Sequence, residues 1–156
     1  MLGTLTRNLE TILVVDDNAT ILALVVAILE YSKFRVLSAC SGAKAIELAK
    51  ETEGRIDLLL SDVDMPQMSG PNLGETLKKT RPDMHVMLMA GGENGSLLVQ
   101  NYGWTFIQKP FMPAKLIQMV TSALRSPVQS QPGGPQFDRR KRPADATSLW
   151  SRAASR

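Results

Sequence analysis

A chain of 156 residues, 44% hydrophobic and 21% charged, has the size and balance of one globular domain with some additional tail, and it excludes a collagenous or wholly disordered protein. The longest unbroken apolar run, Ile21 to Leu29, is nine residues, against about 20 for a helix that crosses a bilayer. One cysteine, Cys40, and one histidine, His85, exclude an internal disulfide and a Cys/His zinc site.

Taken in chain order, Met1 to Glu10 lacks the apolar stretch of a secretory signal, so residues 1–10 are read as an N-terminal extension and the protein as cytoplasmic. Ile12 to Val15 is a strand candidate, followed by a helix over Ala19 to Tyr31 that Asp17 or Asn18 can cap. The pattern then repeats: strand Val36 to Ala39 with helix Gly42 to Glu51, and strand Ile56 to Leu60 with helix Pro71 to Thr80. Strand Met84 to Met89 precedes a short helix around Ser96 to Asn101, and Phe106-Ile107 precedes a helix over Pro113 to Arg125. Continuous β-branched and leucine runs are what strands buried on both faces require. Residues 11–125 therefore predict a doubly wound α/β domain with a parallel sheet. Within it, Met84, Met87 and Met89 are expected in the core, His85 at a packed edge, and Cys40 as a small buried hydrophobe.

Charge divides at the end of that unit. Through Arg125 there are 12 Lys+Arg and 13 Asp+Glu; from Ser126 onward there are 6 and 2. Residues 126–156 are rich in Pro, Gly and Gln, have no apolar period, and read as a disordered basic tail. The run Arg139-Arg140-Lys141-Arg142 reads as solvated rather than as a nucleic-acid contact, and neither nucleic acid nor membrane is expected as a partner.

Sheets of this class bind ligands at the carboxyl ends of their strands. The first predicted strand ends in Asp16-Asp17, the third runs into Asp62, the fourth ends at Ala90, and the fifth leads to Lys109-Pro110. Three carboxylates and an ammonium thus converge on one edge. Crowded carboxylates repel one another, and a hard divalent cation with oxygen ligands, Mg²⁺ or Mn²⁺, relieves the conflict. With such a cation, one carboxylate can act as a nucleophile toward phosphorus while the lysine neutralises the transferring group. Taken singly, each residue has a plainer reading: Asp16-Asp17 as helix capping, Asp62 as a polar strand end, Lys109 as a solvated loop lysine. Gly91 to Gly95 reads as a hinge rather than as a phosphate-cradling loop, because no Gly-Lys-Ser/Thr follows.

The motifs Ile12-Leu13-Val14-Val15-Asp16-Asp17-Asn18, Leu58-Leu59-Leu60-Ser61-Asp62-Val63-Asp64-Met65-Pro66-Gln67-Met68-Ser69-Gly70 and Lys109-Pro110-Phe111 resemble the receiver domain of two-component response regulators. The likeness covers residues 10 to 125, with three motifs in order. It implies a flavodoxin-like (βα)5 fold with five parallel strands in the order 2-1-3-4-5. It also implies that Asp62 accepts a phosphoryl group from the phosphohistidine of a sensor histidine kinase or phosphotransfer protein. By the same likeness, Asp17, Asp62 and the backbone carbonyl of Asp64 hold the metal directly, Asp16 acts through water, Lys109 contacts the phosphoryl oxygens, and Lys109-Pro110 is cis. The position ending the fourth strand is normally Thr or Ser, whose hydroxyl bonds the phosphoryl group; here it is Ala90, which leaves only its backbone. Phe106 stands at the switch aromatic, and the face formed by the fourth helix, fifth strand and fifth helix is where the likeness implies a downstream protein.

Three functions compete. The first is a stand-alone phosphoacceptor that signals by changing partners and catalyses only its own phosphotransfer and dephosphorylation. The second, a haloacid-dehalogenase-like phosphatase, takes Asp62-Val63-Asp64 as its carboxylate pair, but that family places the nucleophile on the first strand and carries a cap. The third, a receiver-like binding module that works without phosphorylation, is favoured only by Ala90.

Overall fold

The computed structural model of the protein describes residues 8–92 and 102–128. Five parallel strands, β1 (Thr11–Val15), β2 (Arg35–Ala39), β3 (Leu58–Asp62), β4 (His85–Ala90) and β5 (Thr105–Gln108), lie in the order β2-β1-β3-β4-β5. Helices α1 (Ala19–Tyr31), α2 (Gly42–Glu51), α3 (Gly70–Thr80) and α4 (Pro113–Arg125) accompany them. This is the flavodoxin-like doubly wound sheet. The short helix expected around residues 96–101 lies outside the described residues, as do residues 1–7 and the tail from residue 129. Among the described residues no helix is long and apolar enough to cross a membrane.

The sheet has this form because its strands are apolar on both sides. Successive side chains of a strand point to opposite faces, and here each set meets a different helix layer. Leu13, Val15, Leu59, Val86 and Leu88 join Leu73 and Leu77 of α3 and Ala45 and Ala49 of α2 in one core. Ile12, Val14, Leu58, Leu60, Met87 and Met89 join Val25 and Leu29 of α1 and Leu116 and Val120 of α4 in the other. All of β1 from Ile12 to Val15 is fully buried.

Local chemistry sets the helix starts. Asn18 caps α1 by accepting from the N–H groups of Thr20 and Ile21. Ser41 and Ser69 do the same for α2 and α3 through Lys44 and Asn72, and Pro113 opens α4, where a missing N–H costs nothing. Arg81, just past α3, donates to the carbonyls of Ala49, Thr52 and Gly54. It therefore ties the end of α2 to the end of α3.

Two expectations are corrected. β3 runs from Leu58 to Asp62 rather than from Ile56 to Leu60. Before Leu58, Asp57 holds β1 with its side chain as well as its backbone, its carboxylate accepting from the Thr11 N–H at 2.8 Å. At the far end, the pairing of Asp62 with Met89 prolongs the ladder. Cys40, expected inside, is exposed, because it follows the last residue of edge strand β2 and precedes the Ser41 cap. Met84, Met87 and Met89 are buried as expected, and His85 is half-buried at the start of β4.

Candidate functional site

The parallel register brings the ends of β1, β3 and β4 to one edge. Asp16 and Asp17 follow β1, Asp62 ends β3, Ala90 ends β4, and Lys109 follows β5. Lys109 reaches back into the cluster: its Nζ lies 3.0 Å from Asp16 Oδ2 and 3.1 Å from Asp62 Oδ1. The lysine backbone is fixed as well, since its N–H donates to the Ala90 carbonyl at 2.7 Å and the Lys109-Pro110 peptide is cis.

The carboxylates differ in their surroundings. Asp16 is fully buried; its Oδ1 accepts from the Asn18 N–H at 2.9 Å while Oδ2 faces Lys109. Asp62 is half-buried and Asp17 exposed. One oxygen from each of the three lies within 4.8 Å of the others. The side chain of Asp64 is exposed and stands outside this group of three.

The electrostatics follow from that crowding. Burial pushes the Asp62 carboxyl up to about 6; Lys109 opposes the rise, and the charges of Asp16 and Asp17 reinforce it. For Lys109, burial works against the charged ammonium, but its hydrogen bond to Asp16 and the charge of Asp62 outweigh that, and it stays above the ordinary lysine range. Asp62 is thus a partly buried carboxylate whose loss of solvent Lys109 offsets only in part. A carboxylate so placed is poised to meet a further cation, or an electrophile that consumes its charge.

The remaining predicted positions fall around this cluster. Ala90 is buried and has no hydroxyl to offer. Phe106, opposite Leu88 in the β4–β5 ladder, is half-buried against the core cluster that includes Leu88 and Ala90. Gly91 and Gly92 have open space where a side chain would stand. Two contacts at Asp62 escaped the sequence reading. Ser61 Oγ donates to the Asp62 carbonyl at 2.9 Å, and Gly70 packs directly against that same carbonyl. Both residues belong to the motif around Asp62, but nothing in the motif says which atoms they touch.

Comparison with known proteins agrees with this fold. The response regulator receiver domain matches residues 12–121. Sensor kinase CckA of Brucella abortus (strain 2308) is 32% identical over 117 residues, covering 73% of this chain and 12% of that protein. Transcriptional regulatory protein CpxR of Escherichia coli (strain K12) is 33% identical over 119 residues, covering 75% of this chain and 50% of its own. Among solved structures, a response regulator receiver domain protein from Clostridium thermocellum superposes with a TM-score of 0.68 at 29% identity, covering 74% of this chain and 94% of the other. A CheY-like receiver from Methanospirillum hungatei JF-1 gives 0.67 at 29% identity, with the same coverage of 74% and 94%. The chain spans half the length, or less, of these curated relatives.

Proposed function

Because the chain belongs to the response regulator receiver domain family, we propose that it is a phosphoacceptor in which Asp62 takes a phosphoryl group from the phosphohistidine of a sensor histidine kinase or phosphotransfer protein. The observation that carries the reading is the placement of Lys109 between Asp16 and Asp62, at 3.0 and 3.1 Å, with the Asp17 carboxylate close by. Three oxygen donors so close together suit a hard divalent cation, Mg²⁺ or Mn²⁺. Asp17, Asp62 and the Asp64 carbonyl would hold it directly and Asp16 through water. When bound, the cation supplies positive charge against the oxygens of the transferring group.

This chain's own residues do the rest. Asp62, ionised above a pH of about 6, presents an oxygen lone pair to phosphorus; the new O–P bond forms as the bond from phosphorus to the donor's imidazole breaks. Lys109, tethered by Asp16 through a salt bridge at 3.0 Å, keeps its ammonium beside the nucleophile to meet the phosphoryl oxygens. Asp16, held from behind by the Asn18 N–H, keeps Lys109 in place. The backbone at Ala90 offers the remaining contact. The signal leaves as altered binding of a downstream protein at a face to which β5 and α4 contribute, with Phe106 as the moving aromatic. We assign the phosphoacceptor unit to residues 11–125 and give residues 126–156 no part in the chemistry. Chemistry ends with the chain's own phosphotransfer and dephosphorylation.

Incubation with labelled acetyl phosphate and Mg²⁺ tests this. One acid-stable, hydroxylamine-labile phosphoryl group per chain is expected, none on Asp62→Asn, and no multiple turnover of phosphate esters. Equal labelling of Asp62→Asn refutes the assignment. The absence of a hydroxyl at Ala90 favours one second reading, a binding module indifferent to phosphorylation, which failure of the wild type to label would support.

A further inference from the structure

A fully buried serine in a strand that is otherwise apolar up to Asp62 calls for a reason. Ser61 follows Leu58-Leu59-Leu60, has no exposed surface, and pairs with Val15 on one side and Leu88 on the other. An aliphatic residue would fill that position without the cost of burying a hydroxyl, which is recovered only through a hydrogen bond. The hydrogen bond Ser61 makes goes to the carbonyl of the very next residue, Asp62, at 2.9 Å.

A second feature converges on the same oxygen. Gly70 begins α3, eight positions along the chain from Asp62. A Cβ built on it would collide with the Asp62 carbonyl oxygen, lie 3.0 Å from the carbonyl carbon and 3.2 Å from Leu88 Cδ2. Its φ is not in the left-handed region, so what demands glycine is the close approach of two backbone segments. The loop is sealed there: the Gly70 N–H donates to the Val63 carbonyl at 2.9 Å, and the Val63 N–H donates to Met89 in β4 at 3.0 Å.

From this convergence we propose that Ser61 and Gly70 are positioning residues for Asp62, together fixing the peptide that follows it and thereby the aim of its carboxylate at Lys109. An aspartate has a single methylene between backbone and carboxylate, so a displaced Cα passes nearly undiminished to the nucleophilic oxygen. A misplacement of about 1 Å can cost a reacting group roughly 10²-fold in rate. The inference rests on Asp62 as the phosphoacceptor, but its geometric half does not.

The test uses the full chain with Ser61→Ala, Ser61→Thr and Gly70→Ala. Phosphorylation is followed against acetyl phosphate concentration with Mg²⁺ saturating for each variant. The saturating rate is expected to fall roughly 3- to 10-fold in Ser61→Ala, the loss of one hydrogen bond, and up to about 100-fold in Gly70→Ala. Half-saturating donor should change less than twofold, and Ser61→Thr, which keeps the hydroxyl, should recover most of the rate. In parallel, the Asp62 carboxylate ¹³C and Lys109 ¹⁵Nζ signals are recorded at pH 8 without metal, and both are expected to move in Ser61→Ala. A wild-type saturating rate with a lowered thermal midpoint in Ser61→Ala, or no recovery in Ser61→Thr, overturns the proposal and leaves the pair a structural contact. Should Gly70→Ala fail to fold, Ser61→Ala, which removes one oxygen and adds nothing, decides alone. If Asp62→Asn labels as wild type does, the phosphoacceptor reading has failed instead, and the two NMR signals still report whether the pair aims Asp62.

Discussion

Replacing Asp62 by asparagine should stabilise the metal-free fold, and by an amount that depends on pH in a definite direction. Burial lifts the Asp62 carboxyl from 3.8 to about 6. Between those two values the folded chain holds a proton that the unfolded chain has released, so stability falls as pH rises across this window. A difference of about two pH units at roughly 1.4 kcal/mol each sets a ceiling near 3 kcal/mol. The Asp62 side chain keeps 13% of its surface in solvent, and screening there brings the expected cost to about 1 to 3 kcal/mol at pH 7. The asparagine carries no charge to desolvate, and Lys109 keeps Asp16 as its partner. Urea unfolding with metal chelated, from pH 4 to 7.5, reads the effect directly. With a slope of about 1 to 3 kcal/mol per molar for a domain of this size, Asp62→Asn should have its midpoint higher by on the order of 1 M at pH 7 and close to wild type near pH 4. Mg²⁺ should narrow the gap, because it binds the folded wild type preferentially. Parallel pH profiles, or an asparagine variant no more stable than wild type at pH 7, would refute the reasoning and show that Lys109 already compensates Asp62 in full.

Asp17→Asn should weaken Mg²⁺ binding at least about 10-fold in a direct titration while leaving the unfolding free energy of the metal-free chain within about 0.5 kcal/mol, since Asp17 is exposed; equal titration curves would contradict its place among the ligands. Ala90→Thr restores a hydroxyl able to make one charge-assisted hydrogen bond, worth about 1.5 to 3 kcal/mol, so with beryllofluoride its switched population should exceed that of wild type by roughly 10- to 150-fold as a ratio, read from the NMR signals of Phe106. Full conversion of the wild type, or no gain in the variant, would show that the hydroxyl is dispensable here.

Much of the site was legible in the sequence because in a parallel sheet chemistry collects where strands end, and strand ends are marked by the change from apolar to charged residues. Asp16 and Asp17 sit at such a change, and Asp62 and Lys109 lie one polar residue beyond it, after Ser61 and Gln108. What the sequence could not supply were contacts between residues far apart in the chain. Lys109 and Asp16 are separated by 93 positions, and the Asp57 carboxylate on the Thr11 N–H by 46; the second of these helps explain why the third strand begins at Leu58, although Ile56 is apolar and buried. Cys40 was misread for a related reason. Composition says that thiols are usually interior, but the position just past an edge strand has no layer over it. The start of α1 was narrowed to Asp17 or Asn18, and Asn18 took the cap while Asp17 remained available to the acidic cluster. Ser61 and Gly70 stood in plain view inside a recognised motif, but only coordinates show that both meet at one carbonyl oxygen.

The guanidinium of Arg81 braces one side of the sheet. By gripping Ala49, Thr52 and Gly54 at once, it braces the far end of α3 against the far end of α2, while the near end of α3 rests on the Asp62 carbonyl through Gly70. A push delivered at Asp62 therefore meets a wall of two helices that must be displaced together, with their shared core behind them. On the same face, the chain leaves β4 through Gly91 and Gly92, where a side chain would meet open space. A disturbance at Asp62 is therefore opposed by packed and hydrogen-bonded helix ends on the α2–α3 flank, and by no side chain at the two glycines that follow β4.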